Sequence, residues 1–236
     1  MAGRKQTCVW IVWGAIAAGA SCAAVLAEGQ RSAPAVSKQK PALKAGEIDL
    51  EKSRVYVYVG KKGFGHEHAV EGKIKSGSID LNADKDLGEI VFDMKSFTAD
   101  SDEARKYVEL EGATSEETRE KVTETMLGPQ ALDVEEHPTA AFKIKSRTKR
   151  KTDAGEAYVF EGDFTLHGRT KSITVIAEPI DSDGRDGRRH LTGEFTILQT
   201  DYGITPYKAA LGAVRVADKL KIWGDLWIAG EKPARR

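Results

Sequence analysis

From about residue 46 onward, apolar and polar side chains alternate in short runs, the period-two signature that sends every second side chain of a pleated strand to one face. Val55-Tyr56-Val57-Tyr58-Val59 is the first run and Ile90-Val91-Phe92-Asp93-Met94 the next. Others lie at 141–144, 158–166, 173–176, 194–198 and 220–228. In the last, Leu220, Ile222, Gly224, Leu226 and Ile228 share one face, while Lys219, Lys221, Trp223, Asp225 and Trp227 share the other. One apolar and one mixed face is what a barrel or sandwich with a single interior requires. Turn chemistry separates the runs at Ser76-Gly77, Asp86-Leu87-Gly88, Asp153-Ala154-Gly155 and the polar stretch 181–189. Such regular spacing predicts an antiparallel meander.

A single segment breaks the period. Thr114-x-x-Glu117 reads as a capping box opening a helix that runs to about Leu127, where Gly128-Pro129 stops it. Its apolar positions are few, Val122, Met126 and Leu127, so a short helix is expected across one side or mouth of the barrel.

The beginning of the chain has a different pattern. Arg4 and Lys5 precede an apolar run at 9–20, too short for a spanning helix, and Val25 and Ala27 stand at the expected positions of a cleavage site. Residues 1–27 therefore read as a secretory signal peptide, and the mature chain is expected to begin near Glu28, in the periplasm or otherwise exported. The alternative is an uncleaved anchor with Trp10 and Trp13 at the membrane interface. Residues 28–45, rich in Ala, Lys, Gln, Ser and Pro, read as a flexible linker, 46–230 as the folded domain and 231–236 as a tail.

Both cysteines, Cys8 and Cys22, fall inside the leader, which leaves no thiol for a disulfide, a zinc site or a nucleophile in the domain. A lipid-anchored form through Cys22 is a minor alternative, since Gly19 stands where a lipoprotein processing site has a large aliphatic residue. In the full chain 36 Lys and Arg balance 36 Asp and Glu, which argues against a nucleic-acid partner needing a basic surface. No nucleophile elbow, Walker loop, dinucleotide fingerprint or His-Glu-x-x-His motif is present, so no enzyme activity, catalytic residue or cofactor is expected.

Two strings carry a family resemblance. Ala131-Leu132-Asp133-Val134-Glu135-Glu136-His137-Pro138-Thr139-Ala140-Ala141-Phe142 opens one strand, and Phe160-Glu161-Gly162-Asp163-Phe164-Thr165-Leu166-His167-Gly168-Arg169-Thr170-Lys171 spans a hairpin. Together they resemble the YceI-like family of bacterial lipid- or polyisoprenoid-binding proteins, with Phe164 where Leu is common. Residues 60–74 and the string Gln199-Thr200-Asp201-Tyr202-Gly203-Ile204 add weaker likeness, while Lys52-Ser53 departs from the family's early His. The resemblance implies an eight-stranded antiparallel lipocalin-like barrel around an apolar cavity for an isoprenoid or fatty-acyl lipid. Transient membrane contact and a homodimer are further partner readings; the basic cluster at 185–189 could touch anionic head groups.

Alternation phase sends Val55, Val57, Val59, Ile90, Phe92, Met94, Phe142, Phe164, Leu166, Ile173, Val175 and Ile197 inward. An eight-stranded barrel is just wide enough for these to pack as a dry core or to surround one slender ligand. Under the resemblance, the ligand-binding set is Val57, Val59, Phe92, Met94, Phe142, Phe164, Leu166, Val175, Ile197 and Tyr202, with His66 and His68. The two histidines flank Glu67 on an extended segment, about 6 to 7 Å apart at Cα, on one side. Three readings stay open for the pair: a structural role, a pocket or head-group role, and, as the alternative function, an envelope metal-binding or redox-accessory protein. His137 and His167 read as turn residues.

Overall fold

The computed structural model describes residues 43–152, 155–180 and 188–230. The expected leader, nearly all of the expected linker, the expected tail, and residues 153–154 and 181–187, where the sequence predicts turns, lie outside the described residues.

Among the described residues nine strands form the sheet: β1 (Arg54–Gly63), β2 (His68–Ile79), β3 (Lys85–Ala99), β4 (Thr139–Thr152), β5 (Gly155–Leu166), β6 (Arg169–Ile180), β7 (Arg188–Leu198), the two-residue β8 (Lys208–Ala209) and β9 (Val214–Ala229). Strands β1 to β7 pair antiparallel in chain order. The long β9 pairs with both β7 and β1, closing the barrel with eight strands, and β8 lies against the start of β9. Closure is visible in one residue: Val57 faces Val70 on β2 and Ile222 on β9.

Local breaks in register bend the strands, as a closed barrel needs. Two of them occupy positions that read as turns in the sequence. Ser76 and Gly77 continue β2, paired with Val91 and Ile90, beside an irregularity between Ile74 and Ser76. Asp86 and Gly88, both at positive φ, form a bulge inside β3 that tucks Leu87 into the core. Asp86 and Gly88 suit a bulge as they would a turn, because both can require positive φ, whereas Gly77 is there for close packing, since a Cβ would lie 2.8 Å from Ile48. The true β2–β3 connection is at residues 80–84. Between β5 and β6, His167 and Gly168 form a two-residue loop with both φ values positive, the type I′ geometry that matches strand twist.

Among the described residues two α-helices join the barrel. The first, α1 (Asp102–Tyr107), is capped by Ser101, whose hydroxyl accepts from the Ala104 amide. The second, α2 (Glu116–Leu127), starts one residue later than its sequence signal: Ser115, not Thr114, is the N-cap and accepts from the Thr118 amide. Thr114 instead accepts from Arg105. Among the described residues no helix is long and apolar enough to cross a membrane.

The ends of the barrel differ. At one, residues 46–48 lace β9 to β2: the Gly46 amide bonds Ala229 O at 2.8 Å, and Ile48 bridges Ile228. Ile48, Ile79, Leu87, Ile144, Leu191 and Ile228 fill that end, each at most 2% exposed. The other end, reached by the end of β3 and the start of β4, carries α2.

Candidate functional site

The helix-bearing end of the barrel encloses a chamber of about 290 Å³. Val55, Val57 and Val59 of β1 and Val70 of β2 form one wall. Phe92, Met94 and Phe97 of β3 with Ala140 of β4 form the next. Phe164 and Leu166 of β5, Phe195 and Ile197 of β7, and Val216, Leu220 and Ile222 of β9 complete the circuit. Helix α2 presents Val122, Met126, Lys121 and Thr125, and Ala131 and Leu132 follow from the loop behind it. This lining is almost wholly hydrocarbon, so a chain transferred from water would gain about 0.8 kcal/mol per buried CH₂.

Phe164 is the aromatic centre of the chamber. Its ring meets Phe92, Phe195 and Tyr202 edge to face, with centroids 6.2, 5.4 and 5.7 Å away. Phe97 reaches the chamber by a break in alternation. Residues 94–97 bulge from β3, so Glu71 faces Thr98 while Lys73 faces Asp93. Ser96 holds the bulge, its hydroxyl donating to Asp93 O and accepting from the Lys73 amide. Met94 and Phe97, three positions apart, are thereby both buried.

Polar groups gather at one edge. His68 borders the chamber, and its Nδ1 donates to Asp100 Oδ2 at 2.7 Å. Asp100 is 1% exposed and also accepts from the Ala69 amide and from Arg105 Nη1 at 3.1 Å. Burial raises the Asp100 pKa, but the hydrogen bonds of His68 and Ala69 and the charges of His68 and Arg105 outweigh it, holding the carboxyl below the usual carboxylate range. Arg105 uses its remaining donors on the carbonyls of Glu111 and Gly112, pinning the loop before α2. With Nδ1 engaged, Nε2 is the His68 nitrogen left for a ligand. Gln199 donates to Ala217 O and keeps its carbonyl oxygen as an acceptor, while Lys121, Thr125 and Tyr207 add an amine and two hydroxyls on exposed residues.

Of the residues singled out in the sequence, Val57, Val59, His68, Phe92, Met94, Phe164, Leu166 and Ile197 border the chamber. Four do not. Phe142 and Val175 are buried beneath it, because alternation fixes the face of a strand and not the depth along a tilted barrel. Tyr202 lies behind Phe164, its phenol pushed up to about 12 by burial and then by the Asp201 carboxylate. His66 is exposed and off the chamber, so the two histidines do not act there as a pair. Among the described residues no set of three His, Cys, Asp or Glu side chains could hold a metal ion. His137 and His167 meet at the β5–β6 turn, with centroids 4.3 Å apart and ring planes tilted by 59°.

Several lining residues carry no ligand signal in the sequence reading. Phe195 shares a face with Ile197, and Leu220 and Ile222 belong to the apolar face of the last strand, so alternation already contains them. Phe97 breaks that alternation, and Ala131, Leu132, Gln199 and Tyr207 come from connecting segments with no period to read.

A closed antiparallel barrel with a lined chamber at one end defines the class of small internal-cavity barrels. A model of the YceI-like domain matches residues 47–226, and the chain belongs to the YceI-like family. Among solved structures, Burkholderia cenocepacia BcnA is similar at a TM-score of 0.51 and 17% identity, covering 77% of this chain and 99% of that one. A polyisoprenoid binding domain from Saccharophagus degradans, implicated in plant cell wall breakdown, is similar at a TM-score of 0.53 and 12% identity, covering 80% and 100%. At these identities the likeness is one of fold. The chain has no sequence match among curated proteins.

Proposed function

We propose that this protein binds an isoprenoid or fatty-acyl lipid in the barrel chamber and shields it from water during storage or transfer in the cell envelope, without catalysing a reaction. The observation that carries the reading is the chamber itself, about 290 Å³ walled by aliphatic and aromatic side chains, with His68, Gln199 and Lys121 at one edge. Cavities of this type bind an apolar body and orient it through a few polar groups. His68 and Lys121 suit a head group that accepts hydrogen bonds, such as a carboxylate or a phosphate. The polyisoprenoid-binding neighbour of the same fold supports the ligand class, and the leader-like residues 1–27 support export. The metal or redox alternative needs His66 and His68 in one site, and of the two only His68 borders the chamber.

The test is native mass spectrometry of the protein recovered from its own host's envelope, followed by organic extraction. One bound lipid per chain supports the proposal and identifies the head group. A chain recovered empty that also refuses added prenyl and acyl lipids sinks it.

A further inference from the structure

The chamber occupies only part of the barrel. Directly beneath it lie Phe142, 5% exposed, and Phe160, 3% exposed, neither of which borders the open space. Phe142 pairs across the sheet with Phe164, the lowest chamber residue of β5. Its ring leans over the bare backbone of Gly162, where a Cβ would lie 2.8 Å from the ring. A glycine at that inward position therefore leaves room for the phenyl ring inside the barrel, packed over β5 just below Phe164. Below this layer Ile144, Leu191 and Ile228 continue a dry core to the sealed end.

The depth of the open part follows from strand geometry. Lining on β1 extends from Val55 to Val59, about 13 Å of strand, and on β9 from Val216 to Ile222, about 20 Å. Strands of a small barrel tilt by about 35 to 45°, which reduces these lengths to a chamber roughly 10 to 15 Å deep. An extended hydrocarbon advances about 1.25 Å per carbon, given a bond length of about 1.5 Å and a near-tetrahedral angle. About 8 to 12 carbons therefore fit.

We infer that the floor made by Phe142 and Phe160 restricts the chamber to a short hydrocarbon chain, a medium-length acyl group or two to three isoprene units, and that Phe142 is a specificity-determining residue. Longer polyprenyl chains leave their remaining units outside. This inference rests on the lipid-binding reading and names the class of tail that the site takes.

The experiment is calorimetric titration of the full chain with saturated fatty acids of increasing length, below their micelle concentrations. Affinity is expected to climb roughly fourfold per CH₂, the equivalent of about 0.8 kcal/mol, and then level off near 12 carbons. Phe142→Ala moves the break to longer acids by about two to four carbons, the reach of a phenyl ring at about 1.25 Å per carbon. Ala140→Leu, which fills the chamber instead, moves it to shorter ones; should Phe142→Ala not fold, Phe142→Leu and Ala140→Leu decide. An affinity that keeps climbing to 20 carbons, or a break that stays in place in the folded variants, overturns the inference and leaves the lipid-binding reading intact. Failure of every acid to bind overturns both.

Discussion

Asp100 is more deeply buried than either of its side-chain partners, yet it touches both: His68 Nδ1 at 2.7 Å and Arg105 Nη1 at 3.1 Å. One carboxylate thus links the chamber edge, through His68, to α1, through Arg105. Its hydrogen bonds place the His68 ring and fasten the loop that leads to α2.

Replacing that carboxylate tests the linkage. Asp100→Asn leaves Arg105 partly unpaired in a buried site and is expected to cost about 1 to 3 kcal/mol, measured by urea unfolding. The pH dependence has a definite sign. Because the Asp100 pKa is lower folded than unfolded, its contribution is complete above about pH 4 and is lost as pH falls through the folded value. Acid unfolding of Asp100→Asn should lack that part of the slope; identical acid profiles would contradict the assignment.

Tyrosine ionisation gives a second measurement. The Tyr202 phenol is pushed up to about 12, and Tyr56 is raised further by burial and by the carboxylate of Glu103. A raised folded value means stability that is intact below pH 10 and declines as the unfolded state ionises first. Phenolate absorbance should therefore show a delayed fraction that appears with unfolding. Complete titration of all six tyrosines in a folded barrel near pH 10 would refute it.

Gly72→Ala probes the wall. A Cβ there would stand 2.3 Å from the Phe97 ring, so the ring must swing into the chamber. The expected cost is about 1 to 3 kcal/mol, the usual penalty for overpacking, together with weaker binding of an acyl probe. Unchanged binding would mean that Phe97 yields outward.

The hold on α2 is also testable. The Thr123 hydroxyl accepts from the Ala99 amide at 2.9 Å, joining the helix to the end of β3. Thr123→Val should cost about 1 kcal/mol and raise amide exchange in α2 selectively. Lys121→Glu, an exposed change on the same helix, should weaken an anionic ligand only a few-fold, with the effect lost at high salt. A salt-independent loss would place the amine in a buried contact.

What the sequence made legible follows from which interactions are local. The alternation of Val55, Val57 and Val59 is fixed by pleat geometry, and the structure keeps it. The barrel and the family were legible for the same reason, together with the two motif strings. Depth was not, because Phe142 and Phe164 pair across the sheet on one face, yet only Phe164 borders the chamber. Nor was the α1 helix, six residues whose stability comes from Tyr107 stacked on Tyr56 at 3.8 Å, a contact across 51 positions of chain. The Asp100 triad unites residues from a strand start, a turn and a helix, and only tertiary structure brings them together.

The lacing of residues 46–48 against Ala229 has a practical outcome. It gathers both borders of the described domain at the sealed pole, opposite α2. A tag, surface tether or fusion partner attached through either border would leave the helix-covered opening facing away from the attachment. The barrel can therefore be immobilised from behind, in a sensor or on a support, with the mouth of its chamber turned to solvent.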